Sequence, residues 1–278
     1  MRTVSLRWLT TLLLVVLAAY FLMPLYWLLV AATKSTGDLI NSSPLGLADP
    51  QLWTNLRDLV TFDGGIFWQW VGNSLIYSGL GAAGATFVSA CAGYALAKSV
   101  FRGKEAVFNL VLAGCLLPMT ALGLPLFMLM SKIGLANTYW AILLPSLVSP
   151  FGVYLSRIYA ATVPDDVIDA ARSDGAGEWR IFLTIVLKIM SPALVTMFLF
   201  QFVAIWNNYF LPLVVLSDNH LYPITLGLTS WQGFADRQPI LQTLTVVGSL
   251  VSVIPLIVLS GALQRFWRTG LTEGSVRE

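Results

Sequence analysis

Apolar side chains in this chain fall in long unbroken runs, not in the alternating or three-to-four spacing of a half-buried strand or surface helix. Six runs, at approximately 9–32, 73–97, 106–130, 139–156, 190–216 and 241–263, contain no Asp, Glu, Lys, Arg or His. Each is close to the roughly 20 residues that a helix needs to cross the hydrocarbon of a bilayer, where backbone polar groups must be satisfied within the segment. The pattern predicts an all-α polytopic membrane protein with six transmembrane helices, organised as a single membrane domain over residues 1–278.

Composition supports this reading, because 57% of the 278 residues are hydrophobic, only 11% are charged, and the mean hydropathy is +0.76. A soluble domain of this size has no need of so much apolar surface. Lys and Arg set the orientation, since cytoplasmic loops near span ends carry the positive excess. An arrangement with both termini cytoplasmic places Arg2, Arg7, Lys98, Arg102, Lys104, Arg157, Arg172, Arg180, Lys188, Arg265, Arg268 and Arg277 inside. It leaves only Lys34, Arg57, Lys132 and Arg237 outside. The net charge of +2 therefore reports topology in a cell (inner, cytoplasmic) membrane and not affinity for nucleic acid. The first run is too long for the apolar core of a signal peptide, so it is expected to remain as an uncleaved helix.

Connections long enough to be more than turns are 34–72 and 217–240 outside and 157–189 inside. The first contains Trp53 and Trp68, suited to interfacial anchoring or to an external partner. Gly81, Ala85, Ser89, Gly93 and Ala97 recur every four residues and should let a second helix approach closely. Pro118, Pro125, Pro145, Pro150, Pro212 and Pro255 each remove a backbone donor, so kinked helices that leave room for a path are expected.

Several chemistries are excluded. Gly79-Leu80-Gly81-Ala82-Ala83-Gly84 satisfies a dinucleotide fingerprint, but it lies inside a long apolar helix and not between a strand and a helix. As a phosphate loop it has Ala85 where the Lys must stand, so hydrolysis of ATP would need another subunit. Ionisable residues of the kind that couple protons or ions are absent from the spans. His220 is placed in an external loop, Cys91 and Cys115 lie within spans, and no catalytic pair or metal-binding set is found. Neutral polar groups remain, densest at Gln201, Trp206, Asn207, Asn208 and Tyr209, with Asn73 and Tyr77 in the second span. Amides beside aromatic rings suit the hydroxyls and C–H faces of a neutral polyhydroxylated solute, and they equally suit hydrogen bonding between helices.

The loop 157–189 has its own pattern. Pro164, Asp165 and Asp166 suit a helix start, and Gly175 suits a left-handed stop. Val167, Ala170 and Ala171 form a small apolar face, poor at burial in lipid and suited to a shallow groove on a partner. An amphipathic stretch, 178–187, follows it.

These residues resemble a known motif. Asp169-Ala170-Ala171, Asp174-Gly175-Ala176, Ile185, Leu187 and Pro192 are similar to the EAA loop of ABC importer permeases. Asp169 stands for the usual Glu and Lys188 for a common Pro. The whole chain resembles maltose-type carbohydrate permeases, similar to the shorter subunit of the pair. Pro24-Leu25-Tyr26-Trp27, the stretches 92–97, 101–104 and 134–141, Trp206-Asn207-Asn208 and Gly270-Leu271-Thr272 carry that likeness. The resemblance implies a non-enzymatic subunit that imports a sugar, with Asp169, Ala170, Ala171, Asp174, Gly175 and Ala176 in a cytoplasmic coupling helix that docks on an ATPase. It implies a heterodimer with a second permease, two ATPase subunits that hold ATP and magnesium, and an extracytoplasmic sugar-binding protein. Trp206, Asn207, Asn208, Tyr209, Asn73 and Tyr77 are then candidates for the substrate path. The competing class is a self-contained secondary carrier or channel for a small neutral solute, which would transport without ATPase partners.

Single cysteines in a background lacking Cys91 and Cys115 test the orientation. Ser42→Cys should react with an impermeant thiol reagent in intact cells, and Ser173→Cys only after permeabilisation. The reverse pattern would overturn the topology.

Overall fold

The structure, a computed structural model, describes residues 2–272, with side chains described for 7–264. Arg277 lies outside the described residues, as do the side chains of Arg2, Arg265, Arg268, Leu271 and Thr272. Among the described residues the chain is helical, with no strand. In order the helices are α1 (Arg2–Ala32), α2 (Thr36–Asn41), α3 (Leu52–Thr61), α4 (Ile66–Lys98), α5 (Lys104–Cys115), α6 (Met119–Lys132) and α7 (Trp140–Ser146). They continue with α8 (Pro150–Ala161), α9 (Asp165–Ser173), α10 (Glu178–Ile189), α11 (Ser191–Trp206), α12 (Phe210–Val215), α13 (Ile224–Phe234) and α14 (Ile240–Thr272).

Among the described residues four stretches are long and apolar enough to cross a membrane, at Arg7–Ala32, Leu52–Lys98, Trp140–Ala161 and Ile240–Gln264. Two bent pairs, α5 with α6 at 104° and α10 with α11 at 81°, pass the same test of length and composition only when each pair is taken together, as a broken span or a re-entrant loop. The expected third span, 106–130, is therefore broken. Pro118 caps α6 with φ −69° and ψ 133°, and it can neither donate into the preceding turn nor leave Leu117 comfortably helical. The expected fifth span, 190–216, is also broken, because α11 ends at Trp206 and the chain resumes as α12 at Phe210. Pro24 and Pro255, by contrast, sit inside continuous helices.

The chain divides into two compact units, residues 1–68 with 227–254, and 69–226 with 255–278. In the first, Asn55 is buried and its Nδ2 donates to the Ala32 and Lys34 carbonyls, both at 2.9 Å, which closes the end of α1. Thr36 and Thr243 share a hydroxyl hydrogen bond of 2.8 Å. Gly248 lets α14 approach Leu59, Phe67 and Leu228. Large apolar side chains along α1, such as Leu12, Leu14 and Phe21, stand exposed, as a lipid-facing helix requires.

In the second unit the small-residue stripe of α4 is the packing seam that its spacing predicts. Ala85 and Ser89 are fully buried. A Cβ added at Gly93 would lie 2.6 Å from the Arg157 backbone nitrogen of α8, and one at Gly152 would lie 2.5 Å from Ser89 Oγ. Farther along, Gly81 faces Ser146 and Ile205. At one end of this seam Ala90, Tyr94, Ala160, Val163, Ile168, Ile181, Phe182, Val186 and Met190 form a cluster that joins α4, α8, α9 and α10.

Because Gly93 abuts backbone, which cannot rotate away, Gly93→Val should force α4 and α8 apart. We expect a loss of about 1–3 kcal/mol or more, read as a lowered thermal midpoint or failure to accumulate. Gly72→Ala, with open space around its Cβ position, should be neutral in the same assay.

Candidate functional site

Three interruptions of helix meet at one place. Leu116–Pro118 separates α5 from α6, residues 147–149 separate α7 from α8, and residues 207–209 separate α11 from α12. Met119 just after the first break, Ser146 just before and Val148 within the second, and Asn207, Asn208 and Tyr209 of the third line an open cleft of about 470 Å³. Gln201 and Phe210 complete its polar and aromatic walls, and none of the described residues that line it is charged.

Local side chains repair the broken backbone. Ser149 caps α8 by accepting from the Gly152 N–H at 3.0 Å, and Pro150 occupies the first turn where no donor is needed. Gln201 Nε2 donates to the same Ser149 hydroxyl, tying α11 to the α7–α8 break. Asn208 Oδ1 accepts from the Leu211 N–H at 3.3 Å and so caps α12. The Phe210 ring fills the space above Gly123, where a Cβ would lie 2.5 Å from its edge.

Asn207 and Asn208 therefore do not sit on a continuous helix face about 100° apart, as an unbroken span would have placed them. Asn207 is exposed and donates to the Val203 carbonyl one turn back at 2.9 Å, leaving its acceptor oxygen open. Asn208 is half-buried, its oxygen is used in the cap, and its carbonyl accepts from Thr225 at 3.0 Å. Tyr209 lines the cleft, but Trp206 is buried and stacked on Phe202 at 5.7 Å, a packing residue. Asn73 and Tyr77 lie elsewhere. Asn73 donates to the His220 and Tyr222 carbonyls at 2.8 and 3.0 Å and accepts from the Tyr139 hydroxyl at 2.7 Å. Tyr77 donates to the Leu221 carbonyl at 2.9 Å, and Trp70 to that of Asn219 at 2.8 Å. These groups clamp the loop 219–222 onto α4 and leave little capacity for a ligand.

The loop 157–189 is built as its sequence suggests, with a correction. Helix α9 spans Asp165–Ser173 and follows Pro164, with Asp165 and Asp166 in its first turn. It ends in a Schellman turn: Gly175 N–H donates to the Arg172 carbonyl and Ala176 N–H to that of Ala171, both at 3.0 Å. Gly175 has φ +80°, the left-handed conformation the stop requires. The apolar face does not all point outward, however. Ile168 is buried, Ala171 and Ala176 pack against the α4–α8–α10 cluster, and only Val167 and Ala170 remain exposed.

Ion pairs hold α9 against α4 and α10. Lys98 Nζ lies 2.7 Å from Asp165 and donates to the Val163 carbonyl at 2.6 Å. Arg172 bridges Asp169 at 2.9 Å and Glu178 at 2.7 Å, and the Tyr94 hydroxyl donates to Glu178 at 3.4 Å. The Arg172 hydrogen bond holds the Glu178 carboxyl below the usual Glu range, and Glu178 and Asp169 raise the Arg172 guanidinium. Helix α10 opens into a π-helical turn at Phe182–Val186 before its bend.

Sequence reasoning named Gln201 in the polar cluster without assigning it to the path, and it missed Ser149 as a cap and Glu178 as the partner of Arg172. Ser-Pro at 149–150 is a readable helix-start signal. The Arg172–Glu178 pair spans a turn and carries no fixed spacing.

The chain as a whole matches known proteins. Residues 85–271 match the family described as the binding-protein-dependent transport system inner membrane component. The arabinooligosaccharides transport system permease protein AraQ of Halalkalibacterium halodurans is 35% identical over 98% of this chain and 97% of its own. The lactose transport system permease protein LacG of Rhizobium radiobacter is 32% identical over 94% and 93%. A solved bacterial ABC transporter for import of the acidic polysaccharide alginate matches with a TM-score of 0.79 at 23% identity, over 92% of this chain and 94% of that one.

Glu178→Gln should loosen α9 slightly, read as modestly faster amide hydrogen exchange across 165–173 at neutral pH. In the parental protein the hold belongs to ionised Glu178. It is present above the ordinary Glu value near ~4.3 and is lost as pH falls through the lowered one. Exchange, corrected for its intrinsic pH dependence, that is equal in both proteins would show that the pair is ornamental.

Proposed function

Because the chain belongs to the family of inner membrane components of binding-protein-dependent transport systems, we propose that it is one of two permease subunits of an ABC importer for neutral oligosaccharides. The observation that carries the path assignment is the meeting of three helix breaks in one uncharged cleft. Irregular backbone at membrane depth is tolerated where it is enclosed by protein or lines a water-filled cavity. Asn207, Asn208, Tyr209 and Gln201 offer that cavity amide and phenol groups that match sugar hydroxyls without charge. Relatives named for arabinooligosaccharides and lactose support a sugar cargo.

In this reading both termini and the loop 157–189 face the cytoplasm. Asp169, Ala170, Ala171, Asp174, Gly175 and Ala176 form the coupling segment, with Val167 and Ala170 as its contact face on an ATPase subunit. Two such ATPases bind ATP and magnesium, and a second permease closes the cleft. The loaded external binding protein delivers sugar from the other side, consistent with an alginate transporter of the same fold solved with an alginate pentasaccharide-bound periplasmic protein. Closure of the ATPases moves α9, and the cluster behind Ile168 transmits this to α4, α8 and α10. This chain makes and breaks no covalent bond.

Two sets of variants test the proposal in the reconstituted complex. Asn207→Ala should slow uptake at least tenfold while the complex assembles and its ATPase still responds to the binding protein. Asn208→Ala, which removes the α12 cap, should instead cost about 1 kcal/mol of stability. Parental uptake and stability in both would remove the cleft from the path. Gly175→Val should abolish ATP-driven uptake in an assembled complex, because valine is strained at φ +80°. Normal coupling there would displace the docking segment.

A further inference from the structure

A second lined cavity lies within the unit formed by residues 1–68 and 227–254, in the part that the proposed orientation places outside. Phe62, Asp63, Trp231, Phe234, Gln238 and Leu241 enclose an open cleft of about 570 Å³. It sits where α3 turns into α4 and where α13 turns into α14.

Three features distinguish it from an ordinary surface hollow. The backbone around it is held in an uncommon conformation: Asp63, Gly64 and Gly65 take φ values of 48°, 66° and 84° in succession. Non-glycine residues adopt this region rarely, and such strain persists where surrounding structure imposes it, often at binding sites. Its polar groups are also uncommitted. Among the described residues the Asp63 carboxylate has no ion-pair or hydrogen-bond partner, and the Gln238 side-chain amide has none, although the Gln238 backbone N–H donates to the Phe234 carbonyl at 3.0 Å. Its aromatic wall, finally, is both rigid and accessible. Phe62 and Trp231 lock edge to face at 5.4 Å and 85°, while Phe234 leaves 53% of its surface open.

A rigid aromatic wall beside a free carboxylate and a free amide is the chemistry that binds a saccharide: C–H groups lie on a ring face and hydroxyls donate to carboxylate and amide oxygens. We propose that this cleft is a second, outer contact site for an uncharged oligosaccharide, with Phe234 as the platform and Asp63 and Gln238 as hydroxyl partners. The site rests on the importer reading, which supplies the class of sugar and the side of the membrane. A carboxylate as the lining charge repels an acidic sugar, so the site also selects against uronic-acid chains.

The test uses the complete transporter in nanodiscs without binding protein, with arabinotriose, lactose and raffinose as probes in saturation-transfer NMR. The parental complex should transfer magnetisation to at least one sugar. Phe234→Ala and Asp63→Asn should each weaken that binding about fivefold, and Asp63→Asn keeps a residue that tolerates positive φ. Both positions are at the surface, and the thermal midpoint reports whether either variant has lost its fold. Transfer that survives both changes but vanishes in Asn207→Ala would overturn the outer site and leave the importer reading intact. Transfer to none of the three sugars overturns it also. Weaker docking of the binding protein with unchanged sugar transfer would make the cleft a protein contact and refute the proposal. ATP-driven uptake of the same sugars with the binding protein present tests the importer reading separately.

Discussion

The bilayer offers no hydrogen-bond partners, and that constraint governs where this chain can be irregular. A backbone amide or carbonyl freed in hydrocarbon costs several kcal/mol, so every break must be sealed by another part of the protein or open to water. The breaks at 116–118, 147–149 and 207–209 meet this condition together. Ser149 and Asn208 cap the helices that follow, Gln201 ties one break to another, and Phe210 closes over Gly123. Of these groups Gln201, Asn208 and Phe210 also line the cleft. The path assignment rests on this coincidence of structural need and uncharged polarity.

The rest of the second unit gives the cleft a firm frame. Helix α4 packs by small residues against α8, which brings backbones close enough for dispersion to act where the hydrophobic effect between helices is absent. At one end α4 is clamped to the loop 219–222 by Trp70, Asn73 and Tyr77. At the other it meets α9 through Lys98, Tyr94 and the apolar cluster around Ile168. The ion pairs there are exposed on their acidic side and contribute little on their own. Burial of Ile168 and the Schellman turn at Gly175 hold α9 more strongly. A helix anchored inward by Ile168 and Ala171, with Val167 and Ala170 left outward, is suited to being pushed as a body.

Much of this was legible in the sequence because its causes are local. Uninterrupted apolar runs predict spans, the four-residue recurrence of Gly81 to Ala97 predicts a packing face, and Pro164 with Gly175 brackets α9. Apolar runs did not reveal that the third and fifth spans are broken. Hydropathy is blind to backbone direction, and Pro118 breaks its helix while Pro24 and Pro255 do not. At the candidate site, Asn207, Asn208 and Tyr209 were visible as polar residues in an apolar run. Trp206, Asn73 and Tyr77 carried the same signal and turned out to serve packing and a loop clamp. Which way a polar side chain faces depends on partners distant in sequence, such as Tyr139 for Asn73 and Phe202 for Trp206. The aromatic cleft at Asp63 and Phe234 was equally hidden, since residues about 170 positions apart share no pattern.

The central claim is that the three helix breaks line a water-filled route for sugar. Its most direct test is a single cysteine at Ser146, at the edge of one break, in a background lacking Cys91 and Cys115. A membrane-impermeant thiol reagent, applied to the reconstituted importer with its partner subunits, measures access to that position. The account predicts labelling, slowed by transported sugar and altered when ATP closes the ATPases. A Ser146→Cys protein that transports sugar yet stays unlabelled in every state would mean that the cleft is sealed by lipid or by packing, and the path would have to lie elsewhere.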